Sequence, residues 1–253
     1  MTPRLVLLGA SNLSLGLGCA VAAARADAGV PLEVLAAHGL GRSYGSESRV
    51  GARVLPGILQ CGLWDALERE GGSACRALLT DLGNDILYGT EVGRITGWLE
   101  QVLERLSRQG ARVRVTRIPL AVLERTPRWR LALARRVFFP AHRVTVARAL
   151  ERARELDREI ARLATSARAE LVAPETSWYG IDPIHIARRA RGEAWSRLCG
   201  SGARAAAPAA GLSPFERRLL RRARPLRRRL LGRELCASQP AARLLDGTTV
   251  SLY

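Results

Sequence analysis

The stretch Arg4-Leu5-Val6-Leu7-Leu8-Gly9-Ala10-Ser11-Asn12 decides how this chain is read. A short aliphatic run reaches Gly-Ala-Ser-Asn and then continues into the alanine-rich segment Leu13 to Ala28. An apolar run of strand length, closed by glycine and followed by a long segment of helix formers, spells strand, turn and helix. The competing reading is a leader peptide, in which the same residues form an apolar core ahead of the small-residue run Gly18-Cys19-Ala20. Ser11, Asn12 and Ser14 interrupt that core, one arginine precedes it, and alanine-rich sequence runs on to Ala28. Strand, turn and helix are therefore expected.

Outward from this unit the same alternation recurs. Further strands are expected at Leu32 to Ala37, Arg76 to Thr80, Arg112 to Ile118 and Glu170 to Ala173. Helical segments are expected at Arg53 to Leu67, Glu91 to Gln109, Arg143 to Ala167 and about His185 to Leu198. Repeated β-α units with short apolar strands imply a parallel sheet covered on both faces. The fold class is thus α/β, three layers α/β/α around a five-stranded parallel sheet. At 253 residues the chain makes one sizeable domain, expected over residues 1–199, plus an extension over 200–253.

Two segments depart from this economy. Residues 120–142 form a long connection after the fourth strand, carrying Arg125, Arg128, Arg130, Arg135 and Arg136 with Trp129, Phe138 and Phe139. A connection there lies at the ligand-binding edge of a parallel sheet, so a cap over a pocket and an extra packed helix are both open readings. The tail opens with a small-residue linker, Gly200 to Gly211, and then Ser213-Pro214-Phe215-Glu216, a helix-start signal. Leu219, Leu220, Ala223, Leu226 and Leu230 follow at helical spacing amid arginine, with Pro225 set to kink or divide the helix. Packing of the leucine face on the parent domain is favoured over a membrane or polyanion surface. Thr248 to Tyr253 reads as a short β segment after an Asp246-Gly247 turn.

The formal charge is +17, and all 40 basic residues are arginine. Total absence of lysine beside abundant Ala, Gly and Leu points to coding bias more than to a polyanion-binding surface, so nucleic acid is not the expected partner. Contact with a polyanion or a membrane surface through the tail stays open on electrostatic grounds. With 47% hydrophobic and 25% charged residues the chain is neither disordered nor a polytopic membrane protein, and no apolar stretch reaches the ~18 residues of a spanning helix. A cytoplasmic location is expected. Cys19, Cys61, Cys75, Cys199 and Cys236 are odd in number and scattered, which indicates neither a disulfide framework nor a metal site. No cofactor is expected.

In an open parallel sheet the site lies beyond the carboxyl ends of the strands. The polar residues there are Ser11 and Asn12 after the first strand, His38-Gly39-Leu40-Gly41 after the second and Asp81-Leu82-Gly83-Asn84-Asp85 after the third. Asp182-Pro183-Ile184-His185 follows the fifth. A hydroxyl, a glycine-rich backbone, a carboxamide and an Asp/His pair are the parts of an acyl-transfer site. Each part also has an ordinary use: Ser11 and Asn12 as helix caps, Gly83-Asn84-Asp85 as a turn, His185 as a cap of the last helix. Their joint occurrence at successive strand ends favours chemistry. A serine needs an imidazole to take its proton, and that imidazole needs a carboxylate to fix its tautomer.

Over about residues 4–199 the sequence resembles the SGNH, or GDSL, hydrolase superfamily. Its four blocks stand in order as Gly9-Ala10-Ser11-Asn12, the Gly39-Leu40-Gly41 region, Gly83-Asn84-Asp85 and Asp182-Pro183-Ile184-His185. The resemblance implies a flavodoxin-like α/β/α fold and a serine esterase or acylhydrolase without cofactor. It implies Ser11 as nucleophile, Asp182 and His185 completing a triad, and the Ser11 and Gly41 backbone with the Asn84 amide as oxyanion hole. Implied substrates are small-molecule, glycan or lipid esters. One departure stands out: the family usually carries Asp before the serine, where this chain has Ala10. Support for the turn must then come from elsewhere, and Asn12 is a candidate.

Alternatives remain open at this level. One is an O-acyltransferase using the same site; another is a basic polyanion- or membrane-surface-binding protein with a vestigial site and a working tail. A rival pattern, Gly41-Arg42-Ser43-Tyr44-Gly45, fits the Gly-x-Ser-x-Gly elbow of α/β-hydrolases, but only two strands precede it. Ser43 is instead expected to line the pocket beside Gly41.

Overall fold

The computed structural model describes residues 2–29, 31–69, 75–138, 144–200 and 211–253. The first unit forms as its sequence dictates: β1 (Arg4–Leu8) is buried throughout, and α1 (Ser11–Ala28) follows it. Successive side chains of a strand point to opposite faces. Leu5 and Leu7 accordingly enter one core and Val6 and Leu8 the other, so both faces of the sheet require cover.

The chain continues through β2 (Glu33–Ala37), β3 (Ser48–Val50), β4 (Arg53–Leu55), α2 (Leu63–Arg69), β5 (Cys75–Leu79), α3 (Asn84–Leu87) and α4 (Val92–Arg108). Next come β6 (Arg112–Thr116), α5 (Leu120–Arg125), α6 (Arg128–Phe138), α7 (Val146–Ser166), β7 (Glu170–Val172) and α8 (Arg191–Cys199). The last elements are α9 (Pro214–Arg222), β8 (Arg227–Leu230), β9 (Arg233–Cys236), β10 (Ala242–Arg243) and β11 (Thr249–Leu252). One face of the main sheet packs on α1 and α8, with Leu13, Leu17 and Trp195 in that core. The other packs on α2, α4 and α7, with Trp64, Leu99 and Leu156.

Among the described residues the main sheet runs β10-β11-β2-β1-β5-β6-β7. The five expected strands are β1, β2, β5, β6 and β7, all parallel to their neighbours in this set. Their order reverses between β1 and β5, which is where a doubly wound sheet opens a crevice at its carboxyl edge. Two more strands come from the C-terminal stretch and extend the expected five-stranded sheet to seven among the described residues. β11 lies parallel to β2, and β10 pairs antiparallel with β11 at the edge.

A second, antiparallel sheet of order β3-β4-β8-β9 corrects two sequence expectations. Residues 53–67 are not one helix: Arg53–Leu55 is a strand, and Pro56-Gly57 separates it from a 3-10 turn, Ile58–Gln60, before α2 begins at Leu63. Proline is excluded from a helix interior because it lacks the N–H and its ring clashes with the preceding turn. Likewise α9 does not continue to Leu230 but stops at Arg222, ahead of Pro225. The two-residue turn at Leu231-Gly232, both at positive φ, then folds β8 back on β9.

The start of α9 is as expected, with Ser213 and Glu216 forming a reciprocal capping box. Its Leu220 packs into the α1 and α8 core. Arg25 of α1 donates to Glu216 at 3.0 Å and to Asp246 at 2.7 Å, tying the C-terminal stretch to the first helix. Most of the expected linker, residues 201–210, lies outside the described residues, as do 139–143 of the long connection. Among the described residues no helix is long and apolar enough to cross a membrane.

Candidate active site

Ser11 is the first residue of α1, at the carboxyl end of β1 and beside the switch point. Its hydroxyl does not cap the helix, since the N-cap is Ala10 and no side-chain cap bond is made there. Ser11 Oγ lies 2.9 Å from His185 Nε2 instead. His185 Nδ1 lies 2.7 Å from Asp182 Oδ2, while Asp182 Oδ1 accepts the backbone N–H groups of Ile184 at 2.8 Å and His185 at 3.2 Å. One carboxylate thus shapes its own turn with one oxygen and orients the imidazole with the other. Burial works to raise the Asp182 pKa, but the His185 ring and the two N–H donors outweigh it and hold the group below its ordinary value.

The support that Ala10 cannot give comes from Asp81, the second residue beyond β5. Its half-buried carboxylate accepts Ala10 N–H at 2.7 Å, Leu13 N–H at 3.3 Å and the Asn12 side-chain amide at 2.8 Å. Burial raises the Asp81 pKa, and these three donors oppose the shift. The residue sits at φ 60, a left-handed conformation that Asp and Asn tolerate better than most. Packing at this junction also requires Gly9, whose Cβ would stand 2.6 Å from Thr80 Cγ2 and 3.2 Å from Asp81 Oδ2.

Asn12, the candidate named from sequence, does something different. Its amide donates to Ile184 O at 3.1 Å as well as to Asp81, and its carbonyl accepts Ile186 N–H at 2.7 Å. It clamps the Asp182–His185 loop onto the start of α1.

Asp81→Asn is expected to separate positioning from binding. Asparagine keeps the left-handed backbone but turns an N–H toward buried donors, leaving at least one unsatisfied at a cost of about 1–3 kcal/mol. A displacement of the serine of the order of 1 Å lowers turnover by about 10²-fold. Steady-state kinetics should show that fall in kcat with KM little changed, together with a lower unfolding midpoint; unchanged kcat would deny Asp81 this part.

Asn84 opens α3 and donates from its side chain to Arg42 O at 3.1 Å, joining the loop after β5 to the loop after β2. It shares the wall of one cavity with Ser11. Gly41 is left-handed at φ 64 with its carbonyl taken by the Tyr88 hydroxyl, and a Cβ there would stand 2.5 Å from that oxygen. Gly41 does not contribute to the wall that holds Ser11 and Asn84.

The rival serine is placed differently from its expectation. Ser43 is 1% exposed and absent from that cavity; its Oγ accepts Gly45 N–H at 3.2 Å and Ser46 N–H at 3.0 Å. No helix follows it, and it serves the loop rather than a pocket. Beneath it Asp85 accepts Tyr44 N–H at 3.0 Å, and burial pushes its carboxyl up to about 6. The Tyr44 hydroxyl lies 2.8 Å from Thr80 O and 3.1 Å from Leu8 O, bracing the ends of β5 and β1 under the site.

His38 is the other imidazole nearby. Its Nδ1 lies 2.9 Å from Ser14 Oγ, and Ser14 already donates to Ala10 O at 2.7 Å, so Nδ1 carries the proton. Burial, with Arg42 and Arg53 adding repulsion, lowers its pKa to about 3 and keeps it neutral. The long connection after β6 does supply cavity wall, since Leu123 of α5 and Leu131 of α6 join Ser11 and Asn84 in it.

No family model and no curated protein matches the sequence. Among solved structures the chain is similar to Est24, a carbohydrate acetylesterase from Sinorhizobium meliloti, at 17% identity and a TM-score of 0.52, over 78% of this chain and 96% of that one. It is similar to a carbohydrate acetylesterase family member from the same organism at 15% identity and a TM-score of 0.51, over 79% and 95%. A looser likeness, TM-score 0.43 at 17% identity over 68% and 76%, is to AlinE4, an SGNH-hydrolase family esterase. At such identities what is shared is architecture, and in architecture the chain has the α/β/α fold of these two carbohydrate acetylesterases.

Proposed function

We propose that this protein is a serine hydrolase of carboxylic esters, working through an acyl-enzyme on Ser11. The observation that carries the reading is the relay of 2.9 Å from Ser11 Oγ to His185 Nε2 and 2.7 Å from His185 Nδ1 to Asp182 Oδ2. With Asp182 holding the proton on Nδ1, Nε2 faces the serine as proton acceptor. It takes the serine proton as Oγ attacks the ester carbonyl, and Asp182 stabilises the imidazolium. The tetrahedral oxyanion is received by the Ser11 backbone N–H and the Asn84 side-chain amide at the positive end of α1, with the Gly41 N–H, set outside that cavity wall, as the third donor the resemblance implies. His185 returns its proton to the departing alcohol; water then attacks the acyl-enzyme by the same route and releases the acid.

In this reading residues 1–199 carry the chemistry, and residues 211–253 of the extension brace it. The fold shared with two carbohydrate acetylesterases is consistent with ester chemistry. The departure at Ala10 no longer weighs toward a vestigial site, because Asp81 holds the same turn from the neighbouring strand. A fluorophosphonate probe on the purified protein, followed by peptide mapping, should place the adduct on Ser11. Labelling at Ser43, or at no serine under conditions that label a control esterase, would overturn the proposal.

A further inference from the structure

If Ser11 carries an acyl group, the cavity beside it says which kind. That cavity measures about 160 Å³ and counts Ser11 and Asn84 among its lining residues. The remaining walls come from the segments after β5, β6 and β7 and from α5, α6 and α7. Since β5, β6 and β7 lie in that order on one side of β1, the cavity extends from Ser11 across the carboxyl edge of the sheet, away from β2. Ile86, Ile118, Leu123, Leu131, Leu150 and Ala153 give it an aliphatic character.

Two of the charged groups along it are already committed, and a third, Arg135, reaches the wall from α6. The Asp81 carboxylate is taken by the turn at Ala10 to Leu13. Arg117 is held by Asp157, whose Oδ1 also accepts Ile118 N–H at 3.1 Å. A ligand needing charge or several hydrogen bonds would find few partners, whereas an alkyl group meets matching walls. In an acyl-enzyme cycle the alcohol must leave and water must enter, so a recess continuous with the serine suits the part of the ester that stays attached.

We infer that this cavity binds the acyl chain of the substrate, an unbranched aliphatic chain of about six carbons; the inference rests on the esterase reading above. An aliphatic cavity of about 150 Å³ takes a six-carbon ring. Acetyl leaves most of that space unfilled, and dodecanoyl exceeds it. Each methylene newly buried is worth about fourfold in kcat/KM, hence roughly 10²-fold between acetate and hexanoate.

The test is kcat/KM on p-nitrophenyl acetate, butanoate, hexanoate, octanoate and dodecanoate, with the isomeric pair ethyl hexanoate and hexyl acetate. The expected result is a maximum near hexanoate, a fall by dodecanoate, and ethyl hexanoate strongly preferred to hexyl acetate. Ala153→Leu should move the maximum toward butanoate, and Leu131→Ala, which enlarges the space, toward octanoate. Acetate as the best substrate with no gain on lengthening would overturn the inference and leave the esterase reading standing. So would preference for hexyl acetate, which puts the alcohol in the cavity, or a maximum that neither variant moves. No turnover of any ester, with no labelling of Ser11, would remove both.

Discussion

Ser11→Ala is expected to lower kcat on p-nitrophenyl hexanoate by about 10⁶-fold, the size of effect that follows removal of the nucleophile from a serine hydrolase. KM and the unfolding midpoint should barely move. The hydroxyl meets His185 Nε2 and contributes nothing to the helix N-cap, so its removal deletes the reacting atom without deleting a structural bond. Surface-like changes of this kind usually fall within about 0.5 kcal/mol. Steady-state kinetics on the purified variant decide the matter: a residual rate above about one tenth of the parent would mean that another group attacks the ester. Ser43 is poorly suited to take over, because it is buried and its oxygen already receives two backbone N–H groups.

Asp182→Asn is the second large effect, a fall in kcat of about 10⁴-fold. The substitution keeps the oxygen that accepts the Ile184 and His185 N–H groups, so the turn persists. What changes lies at Oδ2, where a carboxylate oxygen faces His185 Nδ1 at 2.7 Å. An amide nitrogen there donates rather than accepts, which favours the tautomer with its proton on Nε2. That nitrogen then cannot take a proton from Ser11. The loss should fall on kcat with KM close to the parent, and fluorophosphonate labelling should slow in proportion. A fall of less than tenfold would show that the imidazole is oriented without this carboxylate.

How much of this was legible beforehand can be judged residue by residue. Strand positions were readable because Leu5, Val6, Leu7 and Leu8 are all apolar, and a strand so composed must be buried on both sides. The capping box at Ser213 and Glu216 was readable because both partners lie within a single turn. Ser11, Asn84, Asp182 and His185 could be nominated as polar residues just past strand ends. The hairpin of β8 and β9 was missed because leucine spacing amid arginine mimics a helix, while its strands owe their state to pairing with β4, far back in the chain. Asp81 stood in view among the residues after the third strand, yet nothing local distinguishes it from a turn aspartate.

What the sequence determined by itself, then, is what depends on neighbours a few residues apart: the strand and helix periods, the caps, and the kinds of side chain available at the carboxyl edge. Tertiary structure alone decided which of those side chains meet. Ser11 and His185 are 174 positions apart, Ala10 and Asp81 are 71, and the acyl-sized cavity is assembled from the ends of β1, β5, β6 and β7. The physical reason is that hydrogen-bond and cavity geometry is fixed by strand order and by the packing of helices across the sheet, and no local pattern of residues encodes either.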